Sequence, residues 1–326
     1  MADIYKRFTT EDVIAGDVQS ISSTVWSGDV NPLTTFFTGS STASFEYYVP
    51  VYDKNPITDN SSAVQFSIAY GHIAGSGSLG TTTIIDNTTN TPSKAIYNQY
   101  VNLLLPPSQR AFTINGGSTT DFYAITINRA RYKQKLDPGN WQLNISGSSS
   151  KSHFIDGSGA GDDPTINAAG RIFNIYSGSG AVTASTTVYG LAYPDLGILI
   201  FSSSIASSAG VPINRASATA AKNAVSMSLA ISQAAYFAAR TEERVTSNHY
   251  FVRVTNQQFN FSNNPTFITG SNGIFKWSTM NRNPQVYITT IGLYDDNNRL
   301  LAVAKLSRPL LKTFNREALV KVKIDY

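Results

Sequence analysis

Residues 75 to 80 read GSGSLG, the G-x-G-x-x-G spacing that lays a dinucleotide pyrophosphate against a helix N-terminus. That chemistry needs a strand feeding the glycines, a helix opening on them and an acid about 20 residues further on. Val64 to Ile73 has the pattern of the strand. TTTIIDNTTN then follows, which opens no helix, and after Asp86 no acid occurs before Asp121. Phosphates would meet neither a helix dipole nor a ring of free amides there. The segment is expected to be a loop between strands, and no cofactor is expected.

Other catalytic groups are sparse. The three histidines, His72, His153 and His249, stand in unrelated contexts without H-x-x-x-H or H-E-x-x-H spacing, so zinc has no ligand framework. His153 with Asp156, Asp162 and Asp163 is the densest cluster of possible ligands, but GSGA interrupts the alternating oxygen pattern that a calcium loop uses. There is no cysteine, hence no thiol nucleophile or disulfide. Neither G-x-S-x-G nor a phosphate-binding G-x-x-x-x-G-K-[ST] occurs. The residues give no argument for an enzyme.

One charged pattern stands out. In NRARYKQK (128 to 135), Arg129, Arg131, Lys133 and Lys135 fall at every second position, so on a strand all four would point the same way. Such a stripe is either an exposed strand, whose cations discourage accidental pairing, or a docking strip for an acidic neighbour.

The elements that would position these residues read mainly as strands. SFEYYVPVY (44 to 52), AVQFSIAYGHI (63 to 73), DFYAITINRARYKQKL (121 to 136), RIFNIY (171 to 176), STTVYGLAY (185 to 193) and HYFVRVTNQQFNF (249 to 261) fit pleated surfaces. LGILIFSS (196 to 203) does not alternate and predicts a strand covered on both faces. DPGN (137 to 140) reads as a turn that returns into WQLNI. VYITTIGLYDDNNRLLAVAKL (286 to 306) predicts a hairpin about DDNN. In ALVKVKIDY, Val320, Val322, Ile324 and Tyr326 take one face of a final strand and Lys321, Lys323 and Asp325 the other.

Three helices are expected. TTEDVIAG (9 to 16) has a Thr cap and a closing Gly. TPSKAIYNQYVNLLLPP (91 to 107) lies between prolines with Ile96, Tyr100 and Leu103 or Leu104 on one face. The long one is SATAAKNAVSMSLAISQAAYFAARTEER (217 to 244), whose larger apolar residues are Val225, Leu229, Tyr236 and Phe237.

The predicted fold class is mainly β, antiparallel and β-sandwich-like, with one long and one or two short helices and an extended N-terminal arm. The expected organisation is an arm over 1–43, a first β-rich domain over 44–145, a Ser/Gly-rich loop over 146–170, and a second β-rich region over 171–326. Only 14% of the 326 residues are charged, against about 25% in an average soluble domain. This suits a chain whose surface is covered by neighbours. A net charge of +4 does not call for nucleic acid, and no run approaches the length of a membrane-spanning helix.

Several stretches together resemble a known family. YKRFTTEDV, VWSGD (25 to 29), VQFSIAYGH (64 to 72), FYAITINRARYKQKLDPGNWQLNI (122 to 145), GRIFNIYSGSG (170 to 180), VYGLAYPDLGILIF (188 to 201) and residues 284 to 326 resemble a virion structural protein of the T-even-like, contractile-tailed phages that infect cyanobacteria and other marine bacteria. IGLYDDNNRLLAVAKL is also similar to modules of phage tail fibre and baseplate proteins. The resemblance implies a non-enzymatic tail component in the baseplate, a fibre attachment or the neck. It would bind other virion structural proteins, self-associate in a ring, and act on no small-molecule substrate. The competing readings are an adhesin that reads a cell-surface glycan and a head-associated structural protein. The residues expected at interfaces are Arg129, Arg131, Lys133, Lys135, Val225, Leu229, Tyr236, Phe237, Leu293, Tyr294, Val320, Val322, Ile324 and Tyr326.

Overall fold

A computed structural model describes residues 5–39, 48–75, 92–147, 151–180, 182–203, 205, 220–270 and 272–326. The strands are β1 (Val13–Thr24), β2 (Phe37–Thr38), β3 (Tyr48–Tyr52), β4 (Val64–His72), β5 (Thr113–Ile114), β6 (Gly117–Ser118), β7 (Asp121–Ile127), β8 (Lys135–Ser146), β9 (Lys151–Asp156), β10 (Thr165–Asn167), β11 (Gly170–Ser179), β12 (Val182–Tyr193), β13 (Ile198–Ser202), β14 (Phe237–Val254), β15 (Ile268–Thr269), β16 (Ile274–Phe275), β17 (Val286–Tyr294), β18 (Leu300–Lys312) and β19 (Ala318–Asp325). The helices are α1 (Ser93–Leu104), α2 (Arg129–Tyr132) and α3 (Ala220–Ala234). The fold is mainly antiparallel β, as the sequence predicts. Most of GSGSLG, from residue 76 on, lies outside the described residues.

The chain divides into two compact units, Ser20–Glu243 and Met1–Gln19 with Arg244–Tyr326. In the first, the antiparallel strand order is β14-β8-β9-β11-β12-β13-β7-β4-β3-β2. β4, β7 and β13 form its centre, with Ile200 opposite Ala124 and Ala124 opposite Ala69. Their side chains alternate between two cores. Phe66, Ile68, Tyr70, Tyr123, Ile125, Ile127, Leu199 and Phe201 enter one, together with Ala224, Met227, Ala230 and Ile231 of α3. Ala69, Phe122, Ala124, Ile198 and Ile200 enter the other, together with Tyr97, Tyr100, Val101 and Leu104 of α1. Coverage on both faces explains why these strands lack a polar alternation.

The sheet of this unit is rolled. β14 and β4 have β8, β9, β11, β12, β13 and β7 between them, which in a flat sheet would separate them by more than about 30 Å at strand spacing. Instead the Phe237 and Phe66 rings lie 5.3 Å apart. Trp26 fills the remaining gap, its ring 4.8 Å from Phe237 and its Nε1 donating to Phe237 O at 2.7 Å. Leu33 and Phe237 exchange two backbone hydrogen bonds at 2.9 and 3.0 Å. α3 packs within the roll, and its alanines leave space for the surrounding aromatic rings.

Several sequence expectations need correction here. The helix over 217–244 is helical only from Ala220 to Ala234, residues 217–219 lying outside the described set. Ala235 turns left-handed at φ 53°. Phe237, Ala239 and Thr241 then alternate into the core as strand residues opposite β8, so tertiary pairing overrides the helix propensity of ARTEER. DPGN is no turn. β8 runs through it, and Gly139 at φ 78° marks a register irregularity opposite Ala239 and Thr241, the kind of site where a strand accepts proline. The Ser/Gly-rich stretch also contributes structure, since β9 pairs with both β8 and β11.

In the second unit, residues 247–254 of β14 pair antiparallel with β19, Val252 opposite Val320 and Tyr250 opposite Val322. β17 and β18 form the expected hairpin, with Leu293 opposite Ala302 and Ile291 opposite Ala304. Ile291, Leu293 and Val322 are the buried centre of a small core that includes Tyr250, Val252, Val320 and Ile324. TTEDVIAG forms one 3-10 turn, Thr10–Asp12, and not the expected helix. Asp12 accepts from the Thr9 backbone at 3.1 Å and its hydroxyl at 2.9 Å, but Val13 and Ile14 already belong to β1, β-branched residues that suit an extended chain. The segment is tied down by Phe8 against Tyr250 at 5.7 Å, Tyr5 against Tyr294 at 5.1 Å, and Arg253 Nε on Asp12 at 3.0 Å.

Candidate interaction surfaces and buried polar clusters

The basic stripe does not form. Arg129 and Arg131 lie on α2, a single turn started by Asn128, whose side chain accepts from Ala130 N at 3.0 Å. Lys133 has φ 55° and only Lys135 is on a strand. Each cation also has a partner within its unit. Arg129 stands 4.9 Å over the Tyr132 ring and donates to Gln134 O at 3.0 Å. Arg131 donates to Ser27 Oγ at 2.7 Å. Lys133 pairs with Glu243 at 2.7 Å and Lys135 with Glu242 at 3.5 Å. The alternation in the sequence was real, but it fell on a turn.

The apolar candidates separate by burial. Phe237 is fully buried in the rolled sheet, and Val225 packs against the same core. Leu293 and Val322 are buried in the core of the second unit, with Val320 and Ile324 against them. These residues hold their own units together and present no large free surface. Tyr236 is half-buried. Leu229, Tyr294 and Tyr326 are exposed at 57%, 43% and 71%. Tyr326 is exposed while Val320, Val322 and Ile324, which share its face by alternation, pack inward; its backbone pairs with Thr246 at 3.0 Å.

A broader apolar surface lies on the outer side of the β17–β18 hairpin, where sequence reasoning placed only Tyr294. Inward residues Ile291 and Leu293 alternate with Tyr287, Gly292 and Tyr294. Opposite them on β18, Leu300, Leu301 and Val303 are exposed, as is Tyr287. The Tyr294 ring lies over Gly292, where an added Cβ would meet it at 2.8 Å. A sheet face turned to solvent normally carries polar residues, so Leu300, Leu301 and Val303 beside Tyr294 form an apolar patch near the turn, with Tyr287 farther along the hairpin opposite Leu311 and beyond the Thr290–Lys305 pair.

Three polar groupings centre on Asp121, Arg171 and Lys312, the second of them half-buried. Asp121 accepts from Tyr70 Oη at 2.9 Å and Ser203 Oγ at 2.8 Å. Arg171 bridges Asp195 at 2.9 Å and Glu242 at 3.2 Å. Burial alone would raise the Asp195 carboxyl, but the hydrogen bonds and charge of Arg171 hold it below the usual carboxylate range. Third, Lys312 is fully buried and donates to Asn260 Oδ1 at 2.8 Å, Asn256 O at 2.9 Å and Thr313 O at 3.0 Å. Two of its three acceptors come from a loop more than 50 residues away, so no local pattern marks it.

His153, Asp156 and Asp162 each have separate protein partners. His153 Nδ1 lies 2.7 Å from Asn144 Oδ1 on the neighbouring strand. Asp156 accepts from Gly139 N and Ser158 N, each at 3.0 Å, and Asp162 accepts from Tyr176 Oη at 2.7 Å. Among the described residues no group of three or more His, Asp or Glu is placed to hold a metal, and no helix is long and apolar enough to cross a membrane. No protein-family model, curated protein or solved structure matches the chain.

Proposed function

We propose that this chain is a non-enzymatic structural component of a tailed-phage virion, in the tail, working through contacts with other virion proteins and with copies of itself. The observation that carries the proposal is the outer face of the β17–β18 hairpin, where Tyr287, Leu300, Leu301 and Val303 stand exposed on a segment otherwise well paired. Exposed apolar area of this kind gains free energy when a neighbour covers it, at about 25 cal/mol per Å². Subunits in obligate assemblies commonly bury over about 2,000 Å² in such contacts. The same hairpin, IGLYDDNNRLLAVAKL, carries the similarity to tail fibre and baseplate modules. The low charge content supports the reading from a second side, since a surface due to be covered needs little solvating charge.

The experiment is a disruption of the gene in the phage that carries it, with particles examined by electron microscopy. Incomplete tails support the proposal. Complete particles that fail to adsorb to the host would replace it with the adhesin reading.

A further inference from the structure

Lys312 closes β18 and is buried in the second unit. Among the described residues no carboxylate meets it, and three neutral oxygens do, those of Asn260, Asn256 and Thr313. Burying a charged amine without a counter-ion is costly. Burial therefore pushes its pKa below the usual lysine range, opposed only by the negative charge of Glu317.

The neighbour that matters is Asn260, itself buried. Lys312 Nζ lies 2.8 Å from Asn260 Oδ1. A C=O bond is about 1.2 Å long, so Nζ stands no more than about 4 Å from the amide carbon Cγ. Asn260 is not free to turn away, because its Nδ2 donates to Asn256 O at 2.6 Å, the same oxygen that accepts from Lys312 Nζ at 2.9 Å. One carbonyl thus holds the attacking amine and the amide nitrogen side by side. Holding the two groups together in the folded chain makes their reaction unimolecular, and effective concentrations reach about 10⁵ M where the reacting atoms close to about 3–3.5 Å.

We propose that Lys312 and Asn260 are a modification site, at which the chain forms an intramolecular isopeptide bond between its own side chains. The lysine first loses its ammonium proton to solvent, a loss that burial of the charge favours. Nζ attacks Cγ of Asn260 and the Nζ–Cγ bond forms. One proton moves from Nζ to Nδ2, the Cγ–Nδ2 bond breaks, and Nδ2 leaves as ammonia. A secondary amide joins β18 to the 256–260 loop, with no oxidant, reductant or cofactor consumed. The bond closes a covalent ring across residues 260 to 312 and makes this unit resistant to being pulled or melted apart. The inference stands on this geometry alone and does not depend on the virion reading.

The test is the intact mass of the purified full-length protein after incubation at mildly alkaline pH, followed by a peptide map. Wild type is expected to be lighter than its sequence mass by one ammonia, with one branched peptide joining the Lys312 and Asn260 segments. Lys312→Arg, which keeps the cation and removes the nucleophile, and Asn260→Asp, which has no amide nitrogen to release, are expected to give the full sequence mass. Wild type at its full sequence mass, or an ammonia loss with the two peptides separate, overturns the proposal. Because the deciding readout is the wild-type chain, it holds even if a variant fails to fold.

Discussion

Phe237→Ala is the substitution that bears most directly on how the Ser20–Glu243 unit closes. The residue is fully buried, in ring contact with Trp26 at 4.8 Å and Phe66 at 5.3 Å, and its strand is the one that meets Leu33. Removing a buried phenylalanine costs about 3–5 kcal/mol. Loss of two aromatic pairs, each worth about 0.5–1.5 kcal/mol, places it in the upper half of that range. With a urea slope of about 2 kcal/mol per M, the midpoint should fall by about 2 M. Tryptophan emission is a suitable probe, because Trp26 and Trp141 are buried in this unit whereas Trp277 is exposed. Arg240→Ala is the control. On a helix, residues 237 and 240 would share a face, but on β14 Arg240 points outward, and its removal should change stability by less than about 0.5 kcal/mol. A Phe237→Ala midpoint within about 0.5 M of wild type, or equal losses for both variants, would refute the rolled-sheet account.

Three further outcomes follow from the same structure. Gly190→Ala would drive a Cβ into the Ile200 carbonyl across the β12–β13 pair, and should cost about 3 kcal/mol or more, seen as a lowered thermal midpoint or lost soluble yield. Asp195 is held below its ordinary pKa when folded, so the unfolded chain binds the extra proton. Stability is then complete above the ordinary carboxylate pKa, about 4, and falls as the pH drops through the lower folded value. An acid titration of the unfolding free energy should show that slope, and Arg171→Gln should flatten it. Replacing Leu301 and Val303 by Asp on the exposed hairpin face should leave the unfolding free energy within about 0.5 kcal/mol of wild type, and under the proposed function it should prevent incorporation into particles.

The parts legible in the sequence were those whose signals were local. α1 is bounded by Pro92 and Pro106 and was expected between them. The β17–β18 hairpin turns where DDNN stands, with Asn298 at φ 61° and Asp295 receiving Arg299 N. β19 alternates inward and outward as read, and β13 is buried along ILIF. What failed was set by partners far away in the chain. The segment 237–243 is strand because β8 offers it a ladder and Trp26 a cavity wall, neither visible in ARTEER. A signal was present in Phe237, Ala239 and Thr241, which alternate, but the helix-forming residues around them masked it. The cations of NRARYKQK show the opposite case, a period of two that falls on a turn because Asn128 caps it. The Lys312 site is illegible in the sequence because Asn256 and Asn260 meet the lysine only through folding.

The most direct test of the central claim is quantitative mass spectrometry of purified, intact phage particles from cells expressing this gene. The account predicts that the chain is present in every particle preparation at a low, fixed ratio to the other tail proteins. Abundant expression in infected cells together with absence from washed, complete particles would contradict it.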